Sequence, residues 1–288
     1  MRSTSNPVFR NLPSQSGFGQ AAAGGAFAAH QQGYAQQGYG QGYGQPGYGQ
    51  DPFQQAPATR AMTIDDVVTK TGITLGVLIV AAIISFAVSV SNPGLAPALA
   101  IGGALIGFVL AMVGSFTRLM NNPALVLSYA AFEGLFLGAL SRLFTGVEFG
   151  GAGGSAIIVQ AVLGTIGVFA GMLVVYKTGA VRVTPRFQRM MMGALIGVVV
   201  LMLGNLVASF FMDGGFGLRD GGPIAIIFSL VCIGIAAFSF LLDFDAADQL
   251  IRHGAPEKMA WGVAFGLTAT LVWLYVEILR LLSYFNND

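Results

Sequence analysis

The sequence predicts an all-α polytopic membrane protein, a bundle of seven transmembrane helices preceded by a polar tail. Three observations predict it. Of 288 residues, 55% are hydrophobic and 9% charged, at a mean hydropathy of +0.71, whereas a soluble domain carries roughly 25% charged residues. The polar content is concentrated in the first sixty residues, which leaves 61–288 more apolar still. Beyond Thr71, apolar runs recur at regular intervals, each near the roughly 20 residues that cross a bilayer. A soluble enzyme is excluded on these grounds. A net charge of +1 gives no case for a nucleic-acid partner, and the single Cys232 excludes a disulfide framework.

Residues 1–60 contain almost no Leu, Ile or Val, and residues 31–50 cycle through QQGYAQQGYGQGYGQPGYGQ. Such a segment buries too little apolar surface to offset the entropy of ordering, so disorder is expected. Its Tyr, Gln and Gly alternation resembles sequences that self-associate weakly, which makes the tail a candidate tether for a protein partner. No secretory signal is expected, because the first apolar run begins only after residue 70.

The seven spans are read as Ile73–Ser91, Leu95–Phe116, Pro123–Phe144, Ala156–Tyr176, Met190–Met212, Pro223–Phe244 and Met259–Leu282. Glycines recur inside them, among them Gly103, Gly107, Gly134 and Gly138, often at the small-residue spacing that lets helix backbones approach closely. Basic loop residues are retained on the cytoplasmic side of a membrane and so set the orientation. With the N-terminus inside, the inner segments hold Arg60, Lys70, Arg118, Lys177, Arg182, Arg186, Arg189, Arg252 and Lys258, and the outer ones only Arg142 and Arg219. A cytoplasmic N-terminus and an outside C-terminus follow.

Functional information is concentrated in the ionisable residues of the spans, because a charge at mid-bilayer costs at least ~2.5–3.5 kcal/mol and persists where it meets a partner, a cavity or an ion path. Glu133 lies about ten residues into the third span, near the midplane. The sixth span ends in LLDFDAADQLI, with Asp243, Asp245 and Asp248. At 100° per residue Asp245 and Asp248 share a face and Asp243 points away from Asp245. The last span carries Glu277 and Arg280 three residues apart, hence on one face. Carboxylates crowded into one low-dielectric site favour retention of a proton, and their oxygens also suit a hard cation such as Ca²⁺. The structural alternatives are an internal Glu277–Arg280 ion pair, a Glu133–Arg280 pair, and aspartates that are ordinary interfacial residues.

The absences are informative too. Metal-dependent intramembrane hydrolysis needs His or Cys ligands, and the two histidines, His30 and His253, lie in the tail and in a loop. A serine protease would need a buried His partner, and an aspartyl protease a second facing Asp with a Gly-x-Gly-Asp pattern. The last span has no Lys for a retinal Schiff base, and seven spans without internal repetition disfavour a two-repeat carrier. No enzyme activity and no cofactor are expected. A channel, a transporter or a non-catalytic regulator remains.

FEGLFLG in the third span, LLDFD near the end of the sixth, the hairpin RHGAPEKMAWGVAFG and the terminal LVWLYVEILRLL resemble the Bax inhibitor-1 family, in its bacterial branch, over roughly residues 61–288. That resemblance implies a seven-helix fold with a central last helix, a bacterial plasma membrane, and a pH-sensitive calcium leak gated by paired acidic residues on the sixth and seventh helices. Carried over by motif, Asp245, with Asp243 adjacent, takes the sixth-helix role. Glu277, in LYVE where relatives have Asp, takes the seventh-helix role. To these the reading of the spans themselves adds Glu133 in the ion path and Arg280 as counter-charge. Asp245 and Glu277 are thirty-two residues apart, longer than the usual hairpin. Aligned without a gap, the hairpin places Thr270 opposite the sixth-helix acid, so Asp248 and Thr270 are secondary candidates. The expected partners are membrane lipid, Ca²⁺ or another cation, and a protein partner through the tail. The alternatives are a non-conducting regulator of a protease or stress-response complex and a proton-coupled carrier.

Overall fold

A computed structural model describes residues 60–145, 154–212 and 214–285, which contain seven helices long and apolar enough to cross a membrane. They are α1 (Ile64–Ser91), α2 (Ala96–Phe116), α3 (Pro123–Thr145), α4 (Gly154–Thr178), α5 (Pro185–Ala208), α6 (Pro223–Arg252) and α7 (Ala260–Phe285). Among the described residues there is no β-strand, and one isolated bridge joins Ala61 to Pro256. The tail expected over 1–60 lies outside the described residues except for Arg60. The connections after α2, α4 and α6 gather at the end of the bundle where α1 begins, here called the N-side, and α7 finishes at the opposite C-side.

Helix ends depart from the apolar windows where capping chemistry sets them. α1 starts at Ile64, nine residues before the apolar run, because Thr63 and Asp66 form a reciprocal capping box: the Thr63 amide donates to Asp66 Oδ2 at 2.8 Å and the Asp66 amide donates to Thr63 Oγ1 at 3.3 Å. Lys70 therefore stands inside α1. α5 begins at Pro185 behind the Thr184 cap, which carries Arg186 and Arg189 into its first turns, and it stops at Ala208. α6 runs on through LDFDAADQLIR to Arg252. Its 30 residues span about 45 Å, longer than the ~30 Å hydrocarbon layer, so the aspartates sit on a helical extension.

α7 is the most buried span, with 56% of its apolar window covered, against 11% for α5. It packs on α1, α3, α4 and α6. Its buried face includes Leu267, Val272, Leu274, Tyr275 and Leu279, which join side chains of α1, α3, α4 and α6 in two apolar clusters. α3 approaches α1 most closely, and Gly134 and Gly138 explain why: a Cβ on Gly134 would strike the Leu78 carbonyl oxygen, and one on Gly138 the Ala82 carbonyl oxygen. This glycine pair of FEGLFLG thus performs the close approach that small-xxx-small spacing allows. Polar side chains join the helices as well. Ser85 Oγ donates to the Leu135 carbonyl at 2.7 Å, and Ser141 Oγ and the Tyr275 hydroxyl lie 2.8 Å apart. Outward positions are apolar, as at Ile83, Phe108, Val200 and Leu203, and suit contact with lipid.

The N-side is closed by a clasp. Residues ahead of α1 run against the α6–α7 turn, where the Met62 amide donates to the Ala255 carbonyl at 2.8 Å and the Glu257 amide to the Arg60 carbonyl at 2.9 Å. Arg60 pairs with Asp66 at 2.5 Å and with Glu257 at 3.5 Å, and Lys70 Nζ reaches Glu257 Oε1 at 3.0 Å. The Lys70 ammonium also lies 5.8 Å from the centre of the Trp261 ring.

Candidate functional site

Three polar centres follow one another along the bundle. The first is at the N-side, where the extension of α6 meets the end of α4. Asp245 and Asp248, on one face as the 100° spacing requires, line a cavity of about 300 Å³ with Tyr176, Arg182 and Arg252. Asp248 pairs with Arg252 at 2.8 Å and accepts from the Tyr176 hydroxyl at 3.4 Å. Asp245 accepts from Gln249 Nε2 at 2.6 Å.

The second centre is the contact between α6 and α7. Asp243, about 200° around the helix from Asp245, faces α7, and Thr270 Oγ1 lies 2.8 Å from Asp243 Oδ2. The same hydroxyl lies 3.1 Å from the Gly266 carbonyl oxygen. One hydroxyl has one proton and two lone pairs. Both short distances are served at once when Asp243 is protonated and donates to Thr270, which then donates to Gly266. A carboxylate at this position instead competes with Gly266 for the single Thr270 proton.

The third centre is a cleft of about 410 Å³ toward the C-side, lined by α2, α3, α5, α7 and Arg219 of the α5–α6 connection. Glu133 and Glu277 both line it, as do Arg219 and Arg280. Glu277 is 1% exposed; its Oε1 lies 3.0 Å from Arg280 Nη1 and 3.6 Å from Arg219 Nη2, while its Oε2 has no hydrogen-bond partner. Glu133 is 9% exposed and interacts with the Tyr129 hydroxyl one turn earlier. Gly107 of α2 makes its room, since a Cβ there would fall 2.9 Å from Glu133 Oε1. Glu277 is about 10 Å further along α7 than Thr270, at 1.5 Å per residue.

The expected pairing of Asp245 with Glu277 is therefore corrected. Asp245 is directed at α4 and the α4–α5 connection, Glu277 at the opposite end of the bundle, and their two cavities share no lining residue. The helical rotation selects Asp243 as the α7-facing acid, and the register of the hairpin selects Thr270 as its partner. Glu133 and Glu277 are brought together in one cleft, with Arg280 as a direct counter-charge. Sequence reasoning missed Arg219, counted only as an outer loop charge, because nothing local in the chain signals that its loop folds back into the bundle. Among the described residues no group of three or more His, Cys, Asp or Glu side chains is arranged to hold a metal ion.

A family model described as Bax inhibitor 1 like matches residues 6–287. The chain belongs to the Bax inhibitor 1-like family. The match takes in nearly all of the polar N-terminal segment and so begins earlier than the 61–288 over which the motifs carry the resemblance. An uncharacterised protein of Chlamydia muridarum (strain MoPn / Nigg) is 32% identical over 132 residues, 46% of this chain and 48% of that protein. The matched stretch thus spans about half the length of this curated relative. In this member of the Bax inhibitor 1-like family, FEGLFLG supplies both the close α1–α3 contact and Glu133, LLDFD supplies Asp243, and LYVE supplies Glu277.

Proposed function

We propose that this protein is a non-enzymatic, pH-sensitive cation leak, with Ca²⁺ as the favoured ion, in a bacterial plasma membrane. The Asp243–Thr270 contact is the observation that carries the reading. It is an acid–hydroxyl pair on the two helices expected to form the gate, with Asp245 and Asp248 in a cavity on its N-side and Glu133 and Glu277 in a cleft that opens toward the C-side, each cavity lined by two arginines as well. With Asp243 protonated, the relay through Thr270 to Gly266 is complete and α6 stays against α7. When the proton leaves, the carboxylate retains one neutral donor in a partly buried contact, and solvating it more fully draws water between the helices. Higher pH thus favours opening. Asp245 and Asp248 on one side, and Glu133 and Glu277 on the other, attract cations to the two approaches through hard oxygen ligands. The excess of basic residues at the N-side connections supports a cytoplasmic N-terminus, with the C-side cleft outward.

The test is Ca²⁺ flux into proteoliposomes across a pH series. Wild type is expected to conduct increasingly as pH rises, and Asp243→Asn, which keeps a neutral hydrogen-bonding group at every pH, to lose that rise. An identical pH profile for wild type and D243N overturns the gate, and absence of flux at every pH overturns the leak.

A further inference from the structure

The C-side cleft sets two guanidiniums against a single carboxylate, Glu277. Glu277 is already matched one-to-one by Arg280, which is fixed three residues away on the same helix and sits at the shorter distance, 3.0 Å. Arg219 adds a second guanidinium at 3.6 Å, delivered from outside the helices. The cleft in turn has acceptor capacity left over: the Glu133 carboxyl lines it, and Glu277 Oε2 is buried without a partner. Tyr284, in the electrostatic surroundings of Arg219 and Arg280, also has a buried hydroxyl without a partner. This charge network is not closed.

The segment that brings Arg219 in is built to fold back. Gly214, Gly215, Gly217 and Gly221 all have positive φ, a region that costs other residues strain. Gly215 is also required by space, since a Cβ there would fall 2.7 Å from the Asn205 carbonyl oxygen. Asn205 Oδ1 accepts the Phe216 amide at 2.8 Å, which pins the segment to the end of α5. Side chains add to this: the Phe216 ring lies against α5 at Gly204, and Arg219 Nη2 is 3.5 Å from Met202 Sδ. Leu218 packs into the apolar cluster of Val198, Phe228 and Cys232, and Arg219 enters the cleft.

We infer that Arg219 is a tethered cation: residues 214–222 seat its guanidinium beside Glu277, where a diffusible cation entering from the C-side would bind, and entry requires its displacement. This rests on the cation-pathway reading and adds to it a residue that controls access to the cleft. A tethered ligand has a high effective concentration and excludes weak competitors. A Ca²⁺ ion brought to the cleft competes for Glu277 because it carries twice the charge of a guanidinium and takes carboxylate oxygen as its ligand.

Two measurements on full-length protein separate this inference from the reading beneath it. The first is amide hydrogen exchange of residues 214–222 in micelles. Arg219→Gln is expected to speed it about tenfold, the effect of losing one charge-assisted contact, while Arg219→Lys stays near wild type. The second is Ca²⁺ flux into proteoliposomes, expected to rise about tenfold in R219Q, to stay near wild type in R219K, and to lose the gain when Glu277→Gln is added to R219Q. Unchanged exchange in R219Q overturns the tether whatever the flux. Equal flux from R219Q and a conducting wild type, or a gain that survives E277Q, overturns its role as occupant. If exchange responds and no form conducts, the pathway reading falls, the access role falls with it, and the Arg219 tether stands as a structural contact.

Discussion

The two ends of the bundle both carry ion networks, and they are constructed in opposite ways. At the N-side, Arg60, Asp66, Lys70 and Glu257 form a chain of pairs that reaches the surface, each pair joining an exposed side chain, Arg60 at 59% or Glu257 at 40%, to one only 10–11% exposed, Asp66 or Lys70, or to the other exposed one. At the C-side, Glu277 is 1% exposed and meets two arginines, and one of its oxygens is left without a donor. The first network joins chain segments that already touch through backbone hydrogen bonds. The second maintains charge inside the apolar core and borders a cleft. Ion pairs near water contribute little because solvent and salt screen them, whereas a buried charge that loses its partner is costly. The N-side network therefore fastens segments that already touch, and the C-side network is the one whose disruption costs more.

The largest expected effect comes from breaking the C-side network at its centre. Glu277→Ala leaves Arg219 and Arg280 facing each other without the carboxylate, and discounting for the partial exposure of both arginines the loss is about 2–3 kcal/mol. Denaturant titration of the protein in micelles measures it. Glu257→Ala at the N-side is the matched control, and its shift is expected to be much smaller. Equal shifts at the two positions would remove the distinction between the ends.

A middle-sized effect is expected at the α6–α7 contact, which belongs to neither end. Asp243→Asn and Thr270→Val, taken singly and together, form a double-mutant cycle with a coupling of about 1 kcal/mol, the value of one hydrogen bond between partly buried groups. A coupling near zero would mean that the two side chains are neighbours without an energetic bond, and Asp243 would lose its claim to be the gate.

What the chain discloses before folding divides along the same lines. The seven spans are legible because a bilayer demands long apolar runs, and composition alone records them. Their ends are less so, because Thr63 and Asp66 extend α1 by polar capping and α6 continues through three aspartates that no apolar window includes. The divergence of Asp243 from Asp245 is legible from the helical repeat, and the ungapped register of RHGAPEKMAWGVAFG places Thr270 opposite the sixth-helix acid. Which aspartate faces α7 is not, because it depends on how the whole hairpin is rotated in the bundle. Arg219 is the least legible of all. Its position results from four left-handed glycines and an Asn205 cap acting together, and a loop arginine beside Gly-rich sequence looks the same whether it faces solvent or a buried glutamate.

The smallest expected effect is the most direct probe of the difference between the ends. Asp66, foremost among its neighbours, holds the Arg60 guanidinium above its ordinary value, so Arg60 remains charged through the working pH range and the clasp responds to salt, not to base. At about 1 M salt the Debye length falls to about 3 Å, and exposed pairs are largely screened. The melting temperature of wild type should then fall by no more than about 2 °C, and a protein carrying Arg60→Gln should show less of that fall, having less clasp to screen. E277A, whose missing pair was buried, should show the wild-type salt response on top of its lower baseline. If salt instead erases the difference between wild type and E277A, the C-side network is as accessible to solvent as the N-side one, and a cleft reserved for a displaceable arginine would have no dry charge to guard.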